Sequence, residues 1–285
     1  MQIQKVKIDM QGERYFRLFP WGDWHVGNAN TDKEKILLDR DFILHNRMVY
    51  WIGMGDWADA IVSSDDRRYD PKCIDPKLST PQMQYEWIEE IMAPVKAKCL
   101  GLHTGNHDDE LRRRHFHDYV LGAGTDATPS GKQGLCPDLG VKYLGWDALT
   151  WLSLKNWGGP DNKGKNAERV YVIHSFHGSY DGDKMGGAVN RLVDFSADWD
   201  ADIHLMGHTH WAHGWRHIRK QLQNHSKGGL RVVEKKLIYG LTGGYVRAYI
   251  EGTPSYLEKK GKHERKVGII SITIEPGRND LHVTE

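Results

Sequence analysis

Cysteine is scarce in this chain. Among 285 residues there are three, Cys73, Cys99 and Cys136, with no paired spacing. An odd, scattered set excludes a disulfide framework and a zinc–thiolate site, and points to a reducing compartment. Long apolar runs are missing as well. No stretch approaches the roughly 18 residues that a membrane span needs, and Met1-Gln2-Ile3-Gln4-Lys5 lacks the apolar core of a signal peptide. The expectation is a cytoplasmic protein with no membrane partner. Charge of one sign is also absent: 39 Lys and Arg against 38 Asp and Glu leave a formal net charge of +1. That argues against non-specific coating of nucleic acid, which needs a basic face, and leaves room for a local basic groove. No repeat, low-complexity tract or Pro/Gly/Ser linker divides the chain. With 39% hydrophobic and 27% charged residues, one domain spanning residues 1–285 is expected.

Apolar runs alternate with amphipathic stretches, the pattern of an α/β fold. Tyr15 to Phe19 reads as a strand stopped by Pro20. Thr31-Asp32-Lys33-Glu34 is a capping-box signal that opens a helix with Leu37, Phe42, Leu44 and Met48 on its apolar face. Val49 to Ile52 is the next strand. Thr80-Pro81 reads as a helix cap and first turn, with Pro94 kinking or ending that helix. Cys99 to Leu102, Val170 to Ile173 and Ile203 to Met206 are further strands. Leu230 to Leu241, Tyr245 to Ile250 and Val267 to Ile274 read as antiparallel additions at the sheet edges. Two long polar loops, Ser63 to Ser79 and Asn156 to Glu168, stand out.

The abundant chemistry is histidine, 16 residues, and tryptophan, 11. Each strand ends in a polar cluster: Asp23-Trp24-His25, then Gly55-Asp56-Trp57-Ala58-Asp59, then Gly105-Asn106-His107-Asp108. The fourth ends in His174, with His177 three residues on, and the fifth in Gly207-His208-Thr209-His210. In open α/β sheets, ligands bind beyond the carboxyl ends of strands. Imidazole and carboxylate without thiolate suit Mn²⁺, Fe or Zn²⁺. Residues two apart, as in Asp23/His25 and His208/His210, face one side of an extended chain.

Asp-x-His alone is weak and Gly-Asp alone is a common turn; the ordered series of five is specific. That series, Asp-x-His, Gly-Asp-x-x-Asp, Gly-Asn-His-Asp, His and Gly-His-x-His, resembles the calcineurin-like metallophosphoesterases. Thr242-Gly243-Gly244, Ser255-Tyr256 and Gly268-Ile269-Ile270 look like members encoded by phages and prophages. The resemblance implies a four-layer α/β/β/α sandwich of two mixed sheets with two divalent ions at its rim, Mn²⁺ first, with Fe, Zn²⁺ or Ni²⁺ as alternatives. It implies one ion held by Asp23, His25 and His210, the other by Asn106, His174 and His208, and Asp56 bridging. His174 directly follows its apolar run, whereas His177-Gly178 matches the His-Gly pair usual in the family; the reading takes His174. His107 would face the leaving group, with Asp59 orienting its imidazole. Ala60-Ile61 and Asp109 stand where the Ser/Thr phosphatase branch carries arginines, which argues against a protein-phosphatase role.

Six tryptophans, Trp21, Trp24, Trp51, Trp57, Trp211 and Trp215, lie within five residues of these positions. Apart from Trp51, which is mid-strand, they are either an aromatic rim for a base or aryl group, or packing beneath the site. Arg112-Arg113-Arg114 and Asp65-Asp66-Arg67-Arg68-Tyr69 read as solvated surface, one arginine and the loop being candidates for substrate contact. His103 and His204 read as core; His115, His117, His213 and His217 as surface. The expected function is a two-metal phosphoester hydrolase acting on phosphodiesters of nucleotides or nucleic acids. A nuclease or phosphomonoesterase of the same fold is the alternative, and a catalytically dead binding scaffold a lesser one.

Overall fold

The computed structural model describes residues 1–63, 65, 69–115, 118–122, 133–158, 167–180, 182–224 and 228–285. Asp66, Arg67, Arg68, His117 and the middle of the Asn156–Glu168 loop lie outside the described residues, as do the side chains of Arg114 and His115. The strands are β1 (Gln2–Asp9), β2 (Phe16–Trp21), β3 (Val49–Gly53), β4 (Cys99–His103), β5 (Tyr143–Gly145), β6 (Asp147–Lys155), β7 (Glu168–Phe176), β8 (Ile203–Met206), β9 (Ala212–Asn224), β10 (Leu230–Gly244), β11 (Gly268–Ile269), β12 (Ser271–Glu275) and β13 (Asp280–Thr284). The helices are α1 (Lys33–His45), α2 (Pro81–Met92), α3 (Asn106–His115), α4 (Leu135–Leu139), α5 (Met185–Ser196) and α6 (Tyr256–Lys259).

Two mixed sheets form an α/β sandwich. One runs β1-β6-β7-β8-β10-β11 with β9 paired to β10; the other runs β13-β12-β2-β3-β4-β5. Leu18, Ile52 and Leu100 from the second sheet meet Leu152, Ile173, Ile203 and Ile238 from the first in a shared apolar core. Ile36 and Ile43 of α1, Ile88 and Met92 of α2 and Leu135 of α4 pack with Trp51 and Leu102 in a second core. Ala188 and Leu192 of α5 pack with Met206 and Leu237 in a third. The parallel pairs β2–β3, β3–β4 and β7–β8 bring the carboxyl ends of their strands to common edges, where loops can converge.

Several expected elements form as read. Thr80 caps α2, accepting from Met83 N at 3.3 Å, with Pro81 in the first turn, and α2 ends at Met92 just before Pro94. Other readings are corrected. Pro20 does not stop β2: it pairs with Ile52 of β3. The pairing with β12 ends at Leu18, so that flank needs no N–H from Pro20. Asp32, and not Thr31, caps α1, accepting from Lys35 N at 3.0 Å. The buried face of α1 is Ile36, Asp39 and Ile43, whereas Phe42 and Leu44 are exposed. Asp39 can be buried because Tyr245 Oη donates to it at 2.6 Å. Tyr245–Ile250 is not a strand; β9 and β10 instead form a long antiparallel hairpin from Ala212↔Thr242 to Asn224↔Leu230.

Candidate metal centre

The proposed ligands leave the sheets at five strand ends. Asp23 and His25 follow β2, Asp56 follows β3, Asn106 and His107 open α3 just beyond β4, His177 follows β7, and His208 and His210 follow β8. Asp23, His25, Asp56, His208 and His210 all have positive φ, between 48° and 66°. Left-handed backbone is uncommon outside glycine, and Asp and His are among the types enriched there. Main-chain bonds hold the bends: Asp23 N donates to Gly55 O at 2.8 Å, and His25 N to Asp56 O at 3.1 Å. Thr31 Oγ1, freed from capping, donates to the carbonyls of Trp24 and His25 at 3.1 and 2.7 Å. At Gly105 a Cβ would fall 2.1 Å from Asp56 Oδ1, so only glycine allows the close approach.

Three groups of side chains bring one donor atom each within 4.8 Å of one another: Asp23, His25 and His210; Asp56, His177 and His208; and His25, Asp56 and His107. His25 Nε2 and His210 Nε2 face each other at 3.0 Å. Asp56 Oδ2 lies 3.3 Å from His177 Nε2 and 3.7 Å from His25 Nε2. Asn106 Oδ1 is 3.1 Å from His177 Nε2. His177 Nδ1 bonds the Met54 carbonyl at 2.8 Å, which turns Nε2 toward Asp56 and Asn106. Among the described residues, His208 Nδ1 and His210 Nδ1 are buried with no hydrogen-bond partner.

His174 is not part of this cluster. The strand β7 continues through Ser175 and Phe176, so His174 lies two residues short of the strand's end. It is fully buried on the α5 face, stacked on Phe176 and Phe195 at 5.4 and 5.5 Å. Its nitrogens meet Asp147 Oδ1 at 3.1 Å and His204 Nδ1 at 3.3 Å. His177 occupies the place assigned to it. Alternation along the strand explains the shift: the odd separation puts the two imidazoles on opposite faces.

Asp59 also differs from expectation. His107 Nδ1 donates to the Asp59 main-chain carbonyl at 2.7 Å. The Asp59 carboxylate is 3.7 Å from that nitrogen and closer, at 3.4 Å, to His25 Nδ1. Asp108 is a residue that sequence reasoning passed over. Its carboxylate accepts from Asp56 N at 2.9 Å, from Gly105 N at 2.8 Å and from Tyr85 Oη. It thereby ties two ligand loops to α2. An acidic residue in a helix's first turn reads as ordinary dipole complementation, so the sequence offered only its place in Gly-Asn-His-Asp as a signal.

The electrostatics couple buried carboxylates to buried imidazoles. Burial opposes ionisation of Asp56, but the His177, His107 and His25 imidazoles outweigh it and hold the carboxyl well below its usual range. Burial lifts Asp23 well above its usual range, against the pull of His177. His177 is pushed up to about 10, because Asp56 and then Asp23 overcome the effect of burial. Burial, reinforced by His177, lowers His208 to about 4, and burial with His25 takes His210 well below its usual value. Both keep lone pairs at neutral pH, as ligation requires, whereas a bound ion would have to displace the proton of His177.

Trp21, Trp24, Trp51 and Trp57 are fully buried. They contact one another edge to face, with Trp24 4.5 Å from Trp21 and 5.3 Å from Trp57. They pack beneath the ligand loops and form no rim. Trp215 stacks on Tyr239 at 5.2 Å. His103 and His204 are core residues, His213 pairs with Glu285 at 2.7 Å, and Arg112 and Arg113 are exposed and pair with Asp109. Above the cluster lies a cleft of about 520 Å³; its walls include Tyr69, Tyr180, Leu257 and Arg265. Among the described residues, no helix is long and apolar enough to cross a membrane. Neither a scan of protein-family models nor a search of curated proteins returns a match to this chain.

Proposed function

We propose that the chain is a two-metal phosphoester hydrolase with the four-layer sandwich of the calcineurin-like metallophosphoesterases. Its leading substrates in this reading are phosphodiesters of nucleotides or nucleic acids. The observation that carries the reading is the placement of Asp56. One carboxylate oxygen lies between two imidazole sets, 3.3 Å from His177 Nε2 and 3.7 Å from His25 Nε2. The facing Nε2 atoms of His25 and His210, and the His208 Nδ1 that is buried without a partner among the described residues, fit cation ligands. Asp23, His25 and His210 would hold one divalent ion, Asn106, His177 and His208 the other, and Asp56 both. Bound ions would supply neutralisation of the phosphate oxygens and a water acidified for attack on phosphorus.

The remaining work falls to the chain. His107 N donates to Asp56 Oδ1 at 2.9 Å, so Oδ2 is left to face both imidazole sets. The same residue's ring is fixed by Nδ1 on the Asp59 carbonyl at 2.7 Å. Its Nε2 is then the atom that passes a proton to the departing oxygen. The cleft volume and the Tyr69 and Tyr180 side chains in its wall support a nucleoside-sized group beside the phosphate.

The test is metal-stripped protein assayed on a bis-aryl phosphate, an aryl phosphate, cyclic nucleotides and single-stranded DNA, with and without Mn²⁺. Activity restored by Mn²⁺ or a similar ion and lost with chelator is expected. Full activity in protein shown metal-free by elemental analysis refutes the reading.

A further inference from the structure

Arg265 lies on a segment that no ligand motif includes, yet it lines the same cleft as His25, Asp56, His107, His208 and His210. Its side chain is only 10% exposed. Nη1 donates to the carbonyl of Thr209, the residue between His208 and His210, at 2.6 Å. Nη2 reaches Asp183 Oδ1 at 3.3 Å, and the same carboxylate also takes the main-chain N–H of His263 at 3.2–3.3 Å. The guanidinium lies over the Trp211 ring at 5.2 Å. Nε is buried and has no hydrogen-bond partner among the described residues.

A buried cation normally has its donors met, because an unmet charged donor is costly. A guanidinium carries five N–H groups in a planar fork that matches phosphate oxygens. The Trp211 face and the Thr209 carbonyl fix this fork beside the His208–His210 turn, while Nε is left unused. A brace for that turn would need only the Thr209 bond. Lys259, another cation of the cleft wall, is likewise paired, with Asp70; Arg265 differs in lying against the His208–His210 turn.

From this arrangement we propose that Arg265 is the cleft's anion seat, contacting an anionic oxygen of the phosphoester beside the metal cluster. The inference rests on the hydrolase reading and extends it, since it assigns substrate binding to a residue outside every ligand motif.

The experiment is calorimetric titration of inorganic phosphate into the full chain, both metal-stripped and Mn²⁺-loaded, for wild type, Arg265→Gln and Arg265→Lys. Elemental analysis gives the ion count, and kcat and KM on the best ester from the panel are measured in parallel. Arg265→Gln should weaken phosphate binding roughly 10- to 100-fold in both states, the factor a charge-assisted hydrogen bond supplies. The ion count should not change, and the loss on the ester should fall mainly in KM. Arg265→Lys should be intermediate, because a point charge replaces the fork. If Arg265→Gln does not fold, Arg265→Lys decides: phosphate affinity equal to wild type overturns the proposal. So do unchanged affinity in Arg265→Gln, loss of an ion together with phosphate, and a wild type that binds no phosphate. Phosphate binding that depends on Arg265 in a chain inactive on every ester would instead sink the hydrolase reading and leave the anion seat standing.

Discussion

Truncating His177 and His174 separately divides ion binding from packing. His177 touches only the cluster through Nε2, at 3.1 Å from Asn106 Oδ1 and 3.3 Å from Asp56 Oδ2. His177→Ala therefore removes one donor from one ion. Loss of a partner that merely orients a ligand costs about 10–100-fold in metal affinity, so loss of the ligand itself should exceed that. It also removes a fully buried imidazole bonded to the Met54 carbonyl and paired with Asp56, so a fall in Tm accompanies it and the ion count is what separates the two variants. His174→Ala removes a fully buried ring from among Phe176, Phe195 and Trp199. Deleting a buried aromatic ring costs about 3 kcal/mol or more. That corresponds to a fall in Tm of roughly 6–12 °C for a chain of this size. The assays are elemental analysis after dialysis against limiting Mn²⁺, and thermal unfolding of the stripped protein. One ion retained in His177→Ala, and two ions with a lower Tm in His174→Ala, are expected. Two ions in His177→Ala with one in His174→Ala would refute the geometric assignment.

Four further outcomes follow from the site and the core. Asp56→Asn should lose affinity for both ions while Asp23→Asn weakens mainly one; calorimetry showing one ion still tightly held in Asp56→Asn removes the bridging role. His107→Ala should keep both ions and lose roughly 10²–10⁴-fold in kcat on ribose or alkyl esters, with much less loss on nitrophenyl esters. Asp59→Asn should spare that leaving-group pattern, since the main-chain carbonyl holds His107; a pattern like that of His107→Ala would restore the carboxylate's orienting role. Burial pushes His103 down to about 4 from 6.5. The unfolded chain therefore gains a proton near pH 6.5 that the folded chain refuses until about pH 4. Stability from this group is present above 6.5 and lost as pH falls to 4, by roughly 3 kcal/mol. His103→Gln should flatten that part of the stability profile, and denaturant curves of wild type and variant that stay parallel across pH 4–7 contradict the assignment.

What the sequence showed and hid has a common physical origin. Donor types at strand ends were readable because apolar runs mark the strands and polar clusters stop them. Which of His174 and His177 reached the cluster depended on whether Ser175 and Phe176 still belonged to β7, and run boundaries are the weakest part of a periodicity argument. The buried face of α1 was misread because Asp39 is inward, a choice made possible only by Tyr245, more than 200 residues away. Pro20 was misread because its missing donor matters only if both flanks of β2 are paired at that point. Main-chain roles, such as the Asp59 carbonyl under His107, leave no trace in side-chain identity.

The left-handed bends at Asp23, His25, Asp56, His208 and His210 have a consequence for ion exchange. Bends near the Asp56 carboxylate are closed by bonds within the chain: Asp23 N to Gly55 O, Trp24 N to Asp56 O, His208 N to Asp23 Oδ1. A cage built this way is paid for during folding of the polypeptide. Its assembly is unlike that of a zinc finger, where ion uptake and folding are one event. In the proposed reading, ions would enter and leave a standing cage. The occupant at any moment would then be set by the supply and residence time of each ion in the surroundings, and one chain would carry different ions under different conditions without remaking its fold.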